Sequence, residues 1–208
     1  MANCTYLIEK GFEFDCDNPI VSGLENDAWL INRKFLTVDY ENVGTSANPV
    51  YDKHVIVNVG TTAGDDDTTA VKIKQIGDAY SGTATSLNEG TFLNTFTHTV
   101  NILIPKNDPV SAKEILFQLA NGEFVVIVKN KYHSEDEANR FQIYGLERGL
   151  KAASIDEDKY SEETNSGWAV SLTEAGNPYS AQFAWIPEEI GGDATEESTE
   201  EALDSLLD

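Results

Sequence analysis

Gly122-Glu123-Phe124-Val125-Val126-Ile127-Val128-Lys129-Asn130 is the stretch whose reading decides the fold. Phe124, Val126 and Val128 share one parity; Val125 and Ile127 share the other, so this strand is apolar on both faces. Around it the alternation is one-sided. Val100, Ile102 and Ile104 alternate with Thr99, Asn101 and Leu103 on the N-terminal side. On the C-terminal side, Phe141 and Ile143 follow, then Trp168, Val170 and Leu172 against Ala169, Ser171 and Thr173. Ala181, Phe183 and Trp185 close the series before Pro187. Earlier, Phe12 and Phe14 alternate, Val55, Ile56, Val57 and Val59 form a β-branched run, and Val71 and Ile73 alternate with Lys72 and Lys74. Period two over so many segments predicts antiparallel sheets with one buried face.

One helix interrupts the strands, predicted over Asp108–Asn121. Asp108 suits the N-cap, Pro109 the first turn and Gly122 the stop. Ala112, Ile115, Leu116 and Leu119 fall at helical spacing as one apolar stripe. The fold class is therefore mainly β: an antiparallel β-sandwich or barrel with one flanking α-helix. Residues 1–187 form this domain. Two weakly apolar stretches, Tyr40–Tyr51 and Ala79–Phe92, read as long loops and are expected at contacts between subunits.

The final segment, residues 188–208, is set apart by composition: nine acids and no base, entered through Gly191 and Gly192. Ser198 and Glu201 form a capping box, and Leu203, Leu206 and Leu207 lie on one short helical stripe. A helix of this length does not hold alone in water, so these three leucines are assigned to partner binding, in a groove on a neighbouring subunit.

The whole chain has 208 residues, 36 acids and 14 bases, for a formal charge of −22. That length buries roughly 70% of the unfolded surface. The scattered bases exclude ordinary duplex binding, which needs clustered Lys and Arg to displace counterions. An acidic wall can instead let DNA pass without holding it. No apolar run reaches the roughly 20 residues of a membrane span, the start has no secretory pattern, and no membrane partner is expected. Two cysteines, Cys4 and Cys16, make no disulfide framework and suit a reducing compartment.

Site chemistry is sparse. His54, His98 and His133 share no motif, and Cys4 and Cys16 lack CxxC spacing, so no metal site is assigned. Acidic clusters at Asp65–Asp67, Glu135–Glu137 and Asp156–Glu163 read as solvated loop tips. Asp156, Asp158 and Tyr160 echo the first, third and fifth places of a calcium loop, but Ser161 replaces its glycine and Gly167 its bidentate glutamate. No GxSxG, P-loop, HExxH or GxGxxG occurs, so no catalytic residue and no cofactor is assigned, and the chain reads as a non-enzyme. Trp168 and Trp185 read as core; a carbohydrate-stacking role for the tryptophans, Trp29 included, is the alternative.

The C-terminal half, with Gly122–Asn130, Phe141–Leu146, Gly149-Leu150, Gly167–Glu174 and Ala181–Ala184, resembles virion structural proteins of tailed phages and prophages of the Bacteroidetes, of the tail-tube or tail-ring type. The likeness spans about residues 97–186 and, loosely, the segment around Cys4, Asp15 and Cys16. It implies a subunit that joins copies of itself through sheet edges and loops into a ring around a DNA channel, in the tail or the head–tail connector. It also implies neighbouring virion proteins as partners and synthesis in the bacterial cytoplasm. Two other functions remain open from the residues: a capsid-decorating or fibre-attachment domain that binds glycans or other virion proteins, and an enzyme with an unrecognised acidic site.

Overall fold

A computed structural model describes residues 23–42, 51–59, 70–74, 81–105, 108, 111–131, 140–162, 164, 166–184 and 196–207. Among these residues eleven strands form two sheets. They are β1 Leu24–Asn32, β2 Leu36–Asn42, β3 Tyr51–Val59, β4 Ala70–Lys74, β5 Gly82–Asn88 and β6 Thr95–Ile104. After a helical segment come β7 Phe124–Asn130, β8 Phe141–Tyr144, β9 Lys151–Glu157, β10 Trp168–Asn177 and β11 Gln182–Ala184. The larger sheet has the order β2-β3-β11-β8-β7-β1-β4 and the smaller β5-β6-β10-β9. All pairs are antiparallel except β11 on β3. The mainly β class with a flanking helix is thus observed.

The chain changes sheet four times, after β4, β6, β8 and β10. The crossing from β6 to β7 carries the helix. It is a π-helical turn, Ser111–Ile115, followed by α1, Leu116–Asn121. Leu116 and Leu119 are buried while Ile115 is exposed, so the buried stripe is shorter than the sequence suggests. Asn121 closes α1 by donating to the Phe117 carbonyl at 2.8 Å.

Two apolar layers result, one on each side of the large sheet. The inner layer lies between the sheets: Ala28, Val126, Val128 and Tyr144 face Val100, Ile102, Val170 and Leu172, with Leu116 and Leu119 at the flank. The outer layer holds Trp29, Ile31, Val125, Ile127, Phe141 and Ile143. The second helix, α2 Glu196–Asp204, and its closing turn Ser205–Leu207 cover it, with Leu203 fully buried there. The double-sided Phe124–Val128 run has this meaning: its two parities serve two different layers.

Several expectations are revised. Ala79–Phe92 is not one loop, because 82–88 pairs with β6 as strand β5. Tyr40–Tyr51 loses its ends to β2 and β3. Asp156 and Glu157 belong to β9 rather than a loop. In β11 the parity is reversed: Gln182 and Ala184 are buried and Phe183 half-buried. A register shift between Ala175 and Asn177, at Gly176, lies just upstream of that strand. Cys4, Phe12, Phe14, Cys16, Asp65–Asp67, His133 and Trp185 lie outside the described residues.

Candidate assembly surface

Ionisable chemistry in the interior concentrates at one place. His98 on β6 and Glu174 on β10 are direct cross-strand neighbours. Each continues the inward parity of its strand, after Val100 and Leu172 respectively, and both are sealed from solvent. Glu174 accepts from the backbone N–H of Gly145 at 3.2 Å, the N–H of Arg148 at 2.6 Å and Asn177 Nδ2 at 2.9 Å. His98 Nδ1 stands 3.4 Å from Glu174 Oε2. The contact lacks hydrogen-bond alignment, and neither imidazole nitrogen has a hydrogen-bond partner. Tyr144 meets His98 edge-on at 5.5 Å and donates to Thr83 Oγ1 at 3.1 Å. Burial pushes the Tyr144 phenol up. Burial also works against the Glu174 carboxylate, but His98, Asn177 and the Arg148 N–H outweigh it and hold the carboxyl below its ordinary range.

This cluster is a clamp. Glu174 grips the turn from Gly145 to Gly149 that leads β8 of one sheet towards β9 of the other. Arg33 donates to the Glu147 carbonyl at 2.7 Å and Arg148 to the Ala175 carbonyl at 3.2 Å. Gly145 has φ +86°, and a Cβ there would stand 2.5 Å from the Phe124 carbonyl oxygen, so only glycine fits. With His98 and Glu174 closed to solvent, the arrangement ties the two sheets together.

The surface features point elsewhere. Strand β5, Gly-Thr-Ala-Thr-Ser-Leu-Asn, is an edge of the small sheet and carries no charge and no proline. Ala84, Thr85, Ser86 and Leu87 are all exposed. Edge strands are usually guarded by charge, proline or a bulge; this one has a continuous register of seven pairs with β6 and, among the described residues, none of those guards. Its hairpin to β6 ends in an apolar tip: Leu87 is 56% exposed, Leu93 57% and Phe92 99%. The tip is nevertheless shaped, since Asn94 Oδ1 accepts from the Gly90 N–H at 3.1 Å and Asn88 donates to Thr97 Oγ1 at 2.6 Å. The opposite edge of the same sheet is β9.

Alternation also fixes the outward face of the small sheet. Positions opposite in parity to His98, Val100, Leu172 and Glu174 include Thr97, Thr99, Asn101, Ser171 and Thr173, with Ala84 paired to Thr99. In a chain of charge −22, this stretch of β5, β6 and β10 is small, hydroxylated and uncharged.

The stripe expected to bind a partner lies in cis in this single chain. Leu203 is buried in the outer layer, with Leu206 and Leu207 half-buried beside it. The helix needs an apolar bed, and the chain's own large sheet provides one. Two lysines hold its acids. Lys72 on β4 bridges Asp27 at 3.2 Å and Asp204 at 3.0 Å, and lies over the Trp29 ring at 5.1 Å. Trp29 Nε1 also donates to Asp204 at 2.8 Å, and Lys129 on β7 pairs with Glu200 at 2.7 Å. Burial draws the Lys72 ammonium down, but the two carboxylates more than reverse this and leave it above its ordinary value. The sequence marks these acids only as a charge run; the signal missed was Lys72 on β4 and Lys129 on β7, both half-buried on the face where the helix lies.

For Asp156–Glu163, the local bonds are those of turns: Asp158 Oδ1 accepts from the Tyr160 N–H and Ser161 Oγ from the Thr164 N–H. Among the described residues no group of three or more His, Cys, Asp or Glu could hold a metal ion, and no helix is long and apolar enough to cross a membrane. Compared with family models, with curated proteins and with solved structures, the chain matches none.

Proposed function

We propose that the chain is a structural subunit of a phage virion that assembles into a ring or tube in the tail or head–tail connection. The observation that carries this reading is the β5 edge, unguarded among the described residues, with β9 at the other end of the same sheet. Pairing β5 of one copy with β9 of the next is a head-to-tail contact, and such contacts close into rings when the rotation permits. The exposed Leu87, Phe92 and Leu93 supply apolar area beside that edge, which suits an interface core. The resemblance to tail-tube and tail-ring proteins supports the same reading.

In such a ring the small sheets form one continuous wall, and the large sheets stand outside it. The face bearing Thr97, Thr99, Ser171 and Thr173 then lines the channel. The β5, β6 and β10 part of that wall is uncharged where the composition had suggested an acidic one, and β9 adds Lys151 and Asp156 at positions paired with Thr173 and Ala169. It serves passage equally well, because DNA is retained by clustered Lys and Arg and this stretch of β5, β6 and β10 has none.

The test is the assembly state of the purified protein, read by negative-stain microscopy and sedimentation. Rings or tubes are expected. Thr85→Lys places a charge on the β5 edge; it should leave the fold intact, within about 0.5 kcal/mol for a surface change, and abolish assembly. A wild-type chain that stays monomeric overturns the reading. Rings unaffected by Thr85→Lys show that assembly uses another edge.

A further inference from the structure

Helix α2 is poorly made to stand alone. Glu196 and Glu200, Glu197 and Glu201, and Glu200 and Asp204 are like charges four residues apart, which destabilise a helix. Its last turn has no basic residue. The helix therefore exists by virtue of the bed it lies on: one fully buried leucine, three half-buried neighbours and the two lysines. That bed runs from Lys129 on β7 across Trp29 on β1 to Lys72 on β4, the last strand of the sheet. The docking site thus opens onto a sheet edge.

The connection is longer than the site requires. Eleven residues separate the end of β11 at Ala184 from the start of α2 at Glu196. From β11 to β1 is three strand spacings, about 14 Å laterally. The twelve Cα–Cα steps from Ala184 to Glu196 span up to about 43 Å, comparable with the diameter of a compact domain this size, about 43 Å for a sphere whose radius of gyration is about 17 Å. The same helix therefore reaches the equivalent bed on an adjacent copy. Exchange of an identical element retains every contact, and so costs little.

We propose that α2 is an exchangeable clasp: in the assembled particle it docks on the large sheet of a second copy, with its acids on that copy's equivalents of Lys72 and Lys129. The inference rests on the self-assembly reading above. Each copy then both gives and receives one helix, so contacts that are weak singly act together around the ring.

Zero-length carbodiimide cross-linking of the full chain tests this. Lys72–Asp204 and Lys129–Glu200 are close enough to be joined as amides. Lys72–Asp27 joins two adjacent strands of one chain and serves as an internal control. Equal amounts of ¹⁴N and ¹⁵N protein are unfolded together, refolded, assembled and cross-linked. In the particle, about half of the Lys72–Asp204 and Lys129–Glu200 peptide pairs should carry mixed isotopes, as full exchange between copies requires, and the Lys72–Asp27 pair none. A particle whose helix links are all same-isotope overturns the clasp and leaves the ring reading intact. A chain that forms no particle overturns both.

Discussion

Both faces of the large sheet carry an apolar layer, but the two are closed in different ways. The inner face is covered by a second sheet, a helix and a sealed polar clamp at Glu174. The outer face is roofed, among the described residues, by one short acidic helix. Burial on the inside depends on strands paired in continuous register over long runs, Trp168 to Ala175 of β10 against β6 among them. Burial on the outside depends on a segment of charge-repelling sequence pinned at Leu203 and two lysines. One apolar layer is thus closed by paired strands and the other, among the described residues, by a short helix held at Leu203 and two lysines.

Four substitutions break or sharpen this contrast. The largest effect belongs to the inner face: Leu172→Ala should cost about 2–5 kcal/mol in urea unfolding, as buried leucine deletions do. A cost below that of any outer-face variant would erase the distinction. Next is Glu174→Gln, expected to lose about 1–3 kcal/mol near neutral pH because two backbone donors then face a weaker acceptor. The Glu174 carboxyl lies below its ordinary range when folded. Its contribution is therefore complete above the ordinary carboxyl range and lost as pH falls through the depressed folded value. The gap between wild type and variant should narrow in that acid window; a gap independent of pH would refute the clamp's electrostatic role.

On the outer face, Leu203→Asp should release the helix at a cost of about 1.5–3 kcal/mol, the worth of one leucine's burial. Amide exchange should become fast over residues 196–207 of the free chain and stay slow in β7 and β10. Uniform acceleration would mean that the cover and the core unfold as one. The smallest effect is Asp204→Asn, about 0.2–1 kcal/mol, since that carboxylate is 43% exposed. Added salt should weaken the wild type towards this variant and leave the variant nearly unchanged.

Elements whose residues face one apolar layer were legible. β6, β8, β10 and the double-sided β7 are all visible as period-two runs, because burial on a sheet writes itself at that spacing. β5 escaped because it buries little: its existence rests on backbone pairing to β6, which leaves no hydrophobic pattern. β1 escaped for the opposite reason. Ala28-Trp29-Leu30-Ile31 feeds both layers at once, behind a polar start at Glu25-Asn26-Asp27, so no alternation survives. β9 is broken by a register shift opposite Ser171 and Leu172, which puts Ala152 and Ile155 out of step. The buried clamp could have been found. His98 and Glu174 each extend the inward parity of their strands, and a charged group at such a position needs a partner.

The single parallel pairing has a consequence for how the chain is made. Hairpin β2–β3 joins the remainder of its sheet through β11, a strand of three residues near the end of the sequence. Until Ala184 leaves the ribosome, β3 has no neighbour on that side and β8 presents a bare edge. Contacts so distant in sequence form slowly. During synthesis, each nascent subunit therefore passes through a stage with its larger sheet split in two. Among the described strands of that sheet β11 is the last to emerge, and it joins the β2–β3 hairpin to the rest.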